Sequence, residues 1–232
     1  MSLQRYVAAE LTHFVGAKLP PTEEQYTLLV KILTDGILRA GGESDIEEGL
    51  VRLKFRWGAS LSDSERLFQA AAVCFCDIPL ADLAIHVRKY SSFGLAFRKE
   101  FLIEKGAAPV FYVPKGVKLF HRTRTEWLDD AGKELADARG RSIAPGERLR
   151  IPEDTPLGRF LDYIVLSYLK PFDEMKGEDD TENYYMEREW RTLTSVRFAL
   201  TDVHRVIIPQ EYSYKFRCNV PMYTGQVTFS EP

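Results

Sequence analysis

The sequence predicts one α+β domain with a mixed or split, mostly antiparallel sheet and flanking helices, and three observations predict it. Strand-like and helix-like stretches are interspersed without a regular strand–helix–strand period, which argues against a doubly wound parallel sheet. Neither common glycine-rich phosphate loop is present, so no Rossmann or P-loop nucleotide site is expected. The composition, with 45% hydrophobic, 12% aromatic and 28% charged residues in a chain of 232, is that of a globular protein able to bury one sizeable core.

The elements follow in order. Glu10-Leu-Thr-His-Phe-Val15 reads as a strand ended by Gly16, and Pro20-Pro-Thr-Glu23 supplies helix-start chemistry. Tyr26, Leu29, Val30, Leu33 and Ile37 recur at helical spacing, with Gly36 or Gly41-Gly42 to end the helix. Arg52, Lys54 and Arg56 alternate as on a strand or extended loop. Residues 62–72 are expected to form a short capped helix leading into a strand at 73–76, which Asp77-Ile-Pro79 breaks. Residues 80–90 are helix-like, 93–97 a strand, 99–104 a short helix closed by Gly106, and 109–113 a strand. A polar, glycine- and proline-punctuated stretch at about 126–158 reads as an insertion or lid. Residues 160–169 are the most hydrophobic and are expected as a buried helix stopped by Pro171. An acidic loop then leads to a strand over 184–191, and residues 204–208 make a final core strand before Pro209.

The net charge of −3 argues against a broadly basic nucleic-acid binder and leaves room for a local basic groove. The first residues lack the apolar core of a signal peptide, and no apolar run approaches the ~20 residues of a membrane span, so a cytoplasmic protein without a membrane partner is expected. Cys74, Cys76 and Cys218 are odd in number and sit in apolar surroundings, which fits buried thiols in a reducing compartment. Cys74 and Cys76 share a strand face, but no nearby spacing supplies further metal ligands, and no metal is expected.

The run Tyr184-Tyr-Met-Glu-Arg-Glu-Trp-Arg191 carries the most chemistry. At strand period Glu187, Glu189 and Arg191 point to one face. Two carboxylates and a guanidinium there can orient a sugar hydroxyl and stabilise a developing cation. The same pattern also suits a solvent-facing edge strand, where charge discourages edge-to-edge pairing. Arg52 and Arg56 are candidates for phosphate contact, because guanidinium forks match phosphate geometry.

Leu11-Thr-His-Phe-Val-Gly16, residues 31–38, the block from Val73 to Tyr112 and Glu187-Arg-Glu-Trp-Arg191 together resemble the AbiGi family of bacterial abortive-infection proteins over most of the chain. The most specific pieces are Cys76-Asp-Ile-Pro79, residues 86–90, Phe93-Gly-Leu-Ala-Phe97 and Gly106-Ala-Ala-Pro-Val-Phe-Tyr112. The resemblance implies a role in phage defence and a cognate antitoxin or other partner protein; members of the family have been labelled antitoxins.

The order of elements is also similar, more distantly, to that of DarT-type ADP-ribosyltransferases, which modify nucleic-acid bases. The resemblance is carried by Thr12-His13, by Ile32-Leu-Thr-Asp-Gly36, by Tyr90-Ser-Ser-Phe93 and by Glu189 on a late strand. It implies an ADP-ribosyltransferase-like fold, NAD as a substrate and RNA or DNA as the acceptor. It also implies a catalytic Glu189, an auxiliary Glu187, and an NAD side drawn from His13, Thr12, Tyr90 and Phe93. The expected function is therefore an NAD-dependent transferase effector of an abortive-infection or toxin–antitoxin system. The alternative is a non-catalytic antitoxin or sensor that binds a partner protein.

Overall fold

A computed structural model describes residues 8–20, 23–40, 53–54, 69–70, 72–116, 118–119, 122–123, 126, 130, 148–149, 160, 164–177, 180 and 183–230. The chain divides into two compact units, one of Met1–Glu43, Ala72–Ala108 and Glu187–Pro232, the other of Ser44–Ala71 and Pro109–Met186.

Among the described residues nine strands lie in the first unit or at its boundary: β1 (Glu10–Phe14), β2 (Ile37–Leu38), β3 (Val73–Cys76), β4 (Gly94–Arg98), β5 (Ala108–Pro109, at the boundary), β6 (Glu189–Thr192), β7 (Val196–Arg197), β8 (Val203–Ile208) and β9 (Gln226–Phe229). Seven of them form one sheet in the order β9-β8-β4-β1-β3-β6-β5, and β2 pairs with β7 apart from it. The β1–β3, β1–β4, β3–β6 and β4–β8 pairs are antiparallel, whereas β8 and β9 run parallel. Among the described residues the helices α1 (Glu23–Asp35), α2 (Leu83–Lys89), α3 (Lys99–Glu104) and α4 (Ser213–Asn219) accompany the sheet. The architecture is the mostly antiparallel α+β arrangement that the interspersed pattern implies.

Strand alternation gives the sheet two buried faces. Leu11, Phe75, Leu95, Phe97, Val206 and Ile208 face one side, where Tyr26, Leu29 and Leu33 of α1, Leu102 of α3 and Phe216 of α4 close the larger core. Phe14, Cys76 and Ile207 face the other and are covered by Leu83 and Val87 of α2 with Ile78 and Tyr90. Helix α1 places Glu23 and Glu24 in its first turn, where the helix dipole favours them, and buries the stripe Tyr26, Leu29, Leu33. It ends at Gly36, whose φ of 63° is a left-handed cap that suits glycine. On the α2 side Arg205 of β8 donates to Glu10 of β1 at 2.9 Å, and His204 lies 3.5 Å from the same carboxylate.

The second unit contains a parallel pair, Phe111–Pro114 with Leu169–Phe172, a three-stranded sheet of Arg148–Leu149, Leu53–Lys54 and Gln69–Ala70, and the antiparallel pair Lys118–Leu119 with Arg122–Thr123. Tyr112, Phe172 and Tyr185 pack ring on ring at 5.0–6.1 Å.

Two expectations change here. Among the described residues of the helix expected over 160–169, Phe160 is α-helical, Ile164 and Val165 take π geometry and Leu166–Tyr168 a 3-10 turn, and the helical run ends one residue early, at the strand Leu169–Phe172. Pro171 sits inside that strand opposite Val113 instead of stopping a helix. A short apolar run does not distinguish buried helix from strand, and a two-stranded pair has an edge where proline's missing N–H is tolerated. Gln69 and Ala70 lie in a strand, where the end of a helix was expected. Arg52 and Arg56 lie outside the described residues, as does the segment 126–158 apart from Glu126, Asp130, Arg148 and Leu149. Among the described residues no helix is long and apolar enough to cross a membrane.

Candidate functional site around two buried glutamates

Register across three neighbouring strands builds the site. Thr12 of β1 lies opposite Cys76 of β3, and Cys76 lies opposite Glu189 of β6, so the three side chains share the α2 side of the sheet. Arg191, two residues on, is on the same face. Its Nε donates to Glu189 Oε1 at 2.5 Å and its Nη2 reaches Oε2 at 3.4 Å.

Glu187 arrives by a different route. It ends a 3-10 turn, Tyr184–Glu187, and β6 begins only at Glu189, so the pair does not share a strand. Nor does it face solvent, since Glu187 and Glu189 are 3% and 4% exposed. The break is at Arg188, whose φ of 45° makes it the one described residue other than glycine with a left-handed backbone. Glu187 is then met by the C-terminal end of α2. Lys89 Nζ donates to Glu187 Oε1 at 2.8 Å, and the Tyr90 hydroxyl donates to the same oxygen. The charged face legible in the run is therefore an interior ion-pair cluster.

Asp77 holds the break in place. Its N–H donates to the Arg188 carbonyl at 3.2 Å, and its carboxylate accepts from Arg188 Nη2 at 3.3 Å, Lys99 Nζ at 2.8 Å and the Ala8 N–H at 3.2 Å. A 4% exposed carboxylate with these partners clamps both the backbone and the side chain of the left-handed residue. As a sequence feature Asp77 is only part of a strand breaker.

Burial, then the negative charges of Glu187 and of Glu189, push the Tyr90 phenol well above its usual range, so it remains a donor. Phe14 stacks on Tyr90 at 5.7 Å and on His86, one helical turn before, at 6.3 Å. Burial lowers the His86 pKa, opposed by the charge of Glu187. Among the described residues no group completes a hydrogen bond to its buried Nδ1, although the Asp82 carbonyl favours the protonated ring.

His13 occupies the opposite face of β1 from Thr12. Its Nδ1 is 2.8 Å from the Cys74 carbonyl, its ring meets Phe75 edge-on at 5.9 Å, and burial lowers its pKa. Phe93, 1% exposed, packs between Tyr26 and Tyr212 in the larger core. The structure thus brings Thr12, Tyr90, Glu187 and Glu189 to one side of the sheet and sets His13 and Phe93 on the other. It adds Lys89, His86, Asp77 and Arg188, of which only the i, i+4 spacing of His86 and Tyr90 is a signal in the sequence.

Depressed histidines give a defined pH dependence. The unfolded chain takes up protons near pH 6.5 while His13 and His86 in the folded chain resist, so stability falls as pH drops through 6.5 toward their lowered values. Urea unfolding at a series of pH values is expected to show this loss, with a shallower slope in His86→Gln. An unchanged slope would remove His86 from the account.

No group of three or more His, Cys, Asp or Glu side chains able to hold a metal occurs among the described residues. The molecule is an antiparallel α+β protein whose carboxylate cluster is paired from within. A family model described as abortive phage resistance protein AbiGi, antitoxin, matches residues 63–220, which include Asp77, His86, Lys89, Tyr90, Glu187, Arg188 and Glu189. That is well over half of the chain, and the protein belongs to this family. No curated protein and no solved structure matches it.

Proposed function

We propose that the protein is the antitoxin component of an abortive-infection system and acts by binding a partner protein. The family description carries this reading, since an antitoxin works through the protein it restrains. The site geometry is in keeping with it. Lys89 and Tyr90 engage Glu187, and Arg191 engages both oxygens of Glu189, so the cluster is organised as a structural ion-pair network. The test is co-expression with the product of the neighbouring gene. The chain alone is expected to be harmless and to relieve growth arrest by that partner, and a folded Glu189→Gln variant is expected to relieve it equally. Growth arrest by the chain alone, lost in Glu189→Gln, would overturn the reading.

One observation favours a second reading, ADP-ribosyl transfer from NAD to RNA or DNA: a strand carboxylate, Glu189, in register with Thr12 and close enough to Tyr90 to perturb its phenol. In such a transfer the bond between nicotinamide and ribose breaks, nicotinamide leaves with the bonding pair, and an acceptor nucleophile bonds to the same ribose carbon. A carboxylate hydrogen-bonded to a ribose hydroxyl stabilises the oxocarbenium-like charge between those events. Glu189 would perform this with one oxygen released by Arg191. Incubation with labelled NAD and separate pools of DNA, RNA and protein tests it: label in one pool with wild type and not with Glu189→Gln supports transfer, and intact NAD with no label rejects it.

A further inference from the structure

Strand β9 ends the seven-stranded sheet, and no further strand pairs with it among the described residues. Its partner β8 fixes which backbone groups face inward. The Ser230 N–H donates to the Ile208 carbonyl at 2.9 Å, and the register runs without a shift from Arg205–Gln226 to Ile208–Phe229. Strand alternation then turns the N–H and C=O groups of Gln226 and Thr228 toward β8 and those of Val227 and Phe229 away from the sheet.

Edge strands are ordinarily protected by lysine, proline or a bulge. Gln226-Val-Thr-Phe229 has none of these, whereas the strand at the opposite edge, β5, is two residues long and ends in Pro109. Phe229 is 46% exposed, and Met222, just before the strand, is 78% exposed. Tyr223, buried beside them, donates to the Gln226 carbonyl at 3.0 Å and feels the positive charge of Arg217. Arg217 is exposed and has no carboxylate partner among the described residues.

We propose that β9 is the docking edge for the partner protein, which adds an extended segment as the next strand of the sheet. Outward-facing groups at alternate residues specify an extended backbone, Phe229 specifies an apolar side chain on the α4 side, and Arg217, exposed on α4, specifies a carboxylate. The inference rests on the antitoxin reading and names its surface.

The test uses the full chain and a displayed library of random nine-residue peptides. Recovered peptides are expected to alternate apolar residues, to carry a carboxylate, and to slow hydrogen exchange at the Val227 and Phe229 amides. Binding is expected to fall at least about tenfold in Phe229→Pro, which deletes an outward N–H, and severalfold in Arg217→Ala. Phe229→Lys, a change at an exposed position, repeats the blocking test if the proline variant loses its circular dichroism. Failure to recover peptides, binding to both folded Phe229 variants as tight as to wild type, or absence of protection at those amides would overturn the proposal. So would a dimer of the free chain abolished by Phe229→Lys, which assigns the edge to a second copy. Relief of partner toxicity by wild type and Phe229→Lys alike would sink the edge alone, whereas no relief by wild type would sink the antitoxin reading.

Discussion

Asp77→Ala is expected to cost about 3–5 kcal/mol of folding stability, the range for removing one partner of a buried ion pair. The deletion leaves Lys99, 14% exposed, without its carboxylate, and it removes the Asp77 side chain from the Arg188 guanidinium while keeping the backbone bond from residue 77 to the Arg188 carbonyl. Two further variants separate charge from conformation. Asp77→Asn retains hydrogen-bonding capacity without the charge and is expected to fall between wild type and alanine. Arg188→Gly removes the steric cost of φ 45° and is expected to recover about 1 kcal/mol of the loss when combined with Asp77→Ala. Urea unfolding measures all three. If Asp77→Ala lies within about 1 kcal/mol of wild type, the clamp is ornamental.

Lys89→Met is expected to be comparably costly, because the buried Glu187 carboxylate then loses the Lys89 ammonium that donates to it at 2.8 Å. Methionine preserves the apolar stem, so the loss reports on charge. Pairing Lys89→Met with Glu187→Gln, which removes the charge at both places, is expected to recover part of the loss. Lys89→Arg is expected to restore most of the stability. A double variant no more stable than Lys89→Met would mean that Lys89 contributes packing alone.

Much of the sheet was legible because its strands are short, apolar and closed by glycine or proline, as Glu10–Phe14 before Gly16 and Val73–Cys76 before Pro79 show. The site was less legible. Strand period places Glu189 and Arg191 on one face, as the ion pair bears out. The same period misplaces Glu187, because nothing local announces that Arg188 will adopt a left-handed backbone; its stabilising contacts come from Asp77, 111 residues away. Thr12 and His13 illustrate the opposite limit. Adjacent in a motif, they are separated by the sheet itself, since consecutive strand residues face opposite ways. Strand β9 went unread because Gln226-Val-Thr-Phe229 is a short run whose pairing is set by β8 and whose outer side is polar backbone.

The tie between Glu10 and Arg205, 195 residues apart, has a consequence for how the protein is made. β1 lies inside the sheet between β3 and β4, and β4 is flanked on its other side by β8. A nascent chain therefore exposes an open flank on β4 until residues 203–208 leave the ribosome, and a sheet closed by such distant pairings forms slowly. A stalled or truncated product ending before β8 would carry the aggregation hazard of that open flank, so the dose of active protein follows completed synthesis and not initiation.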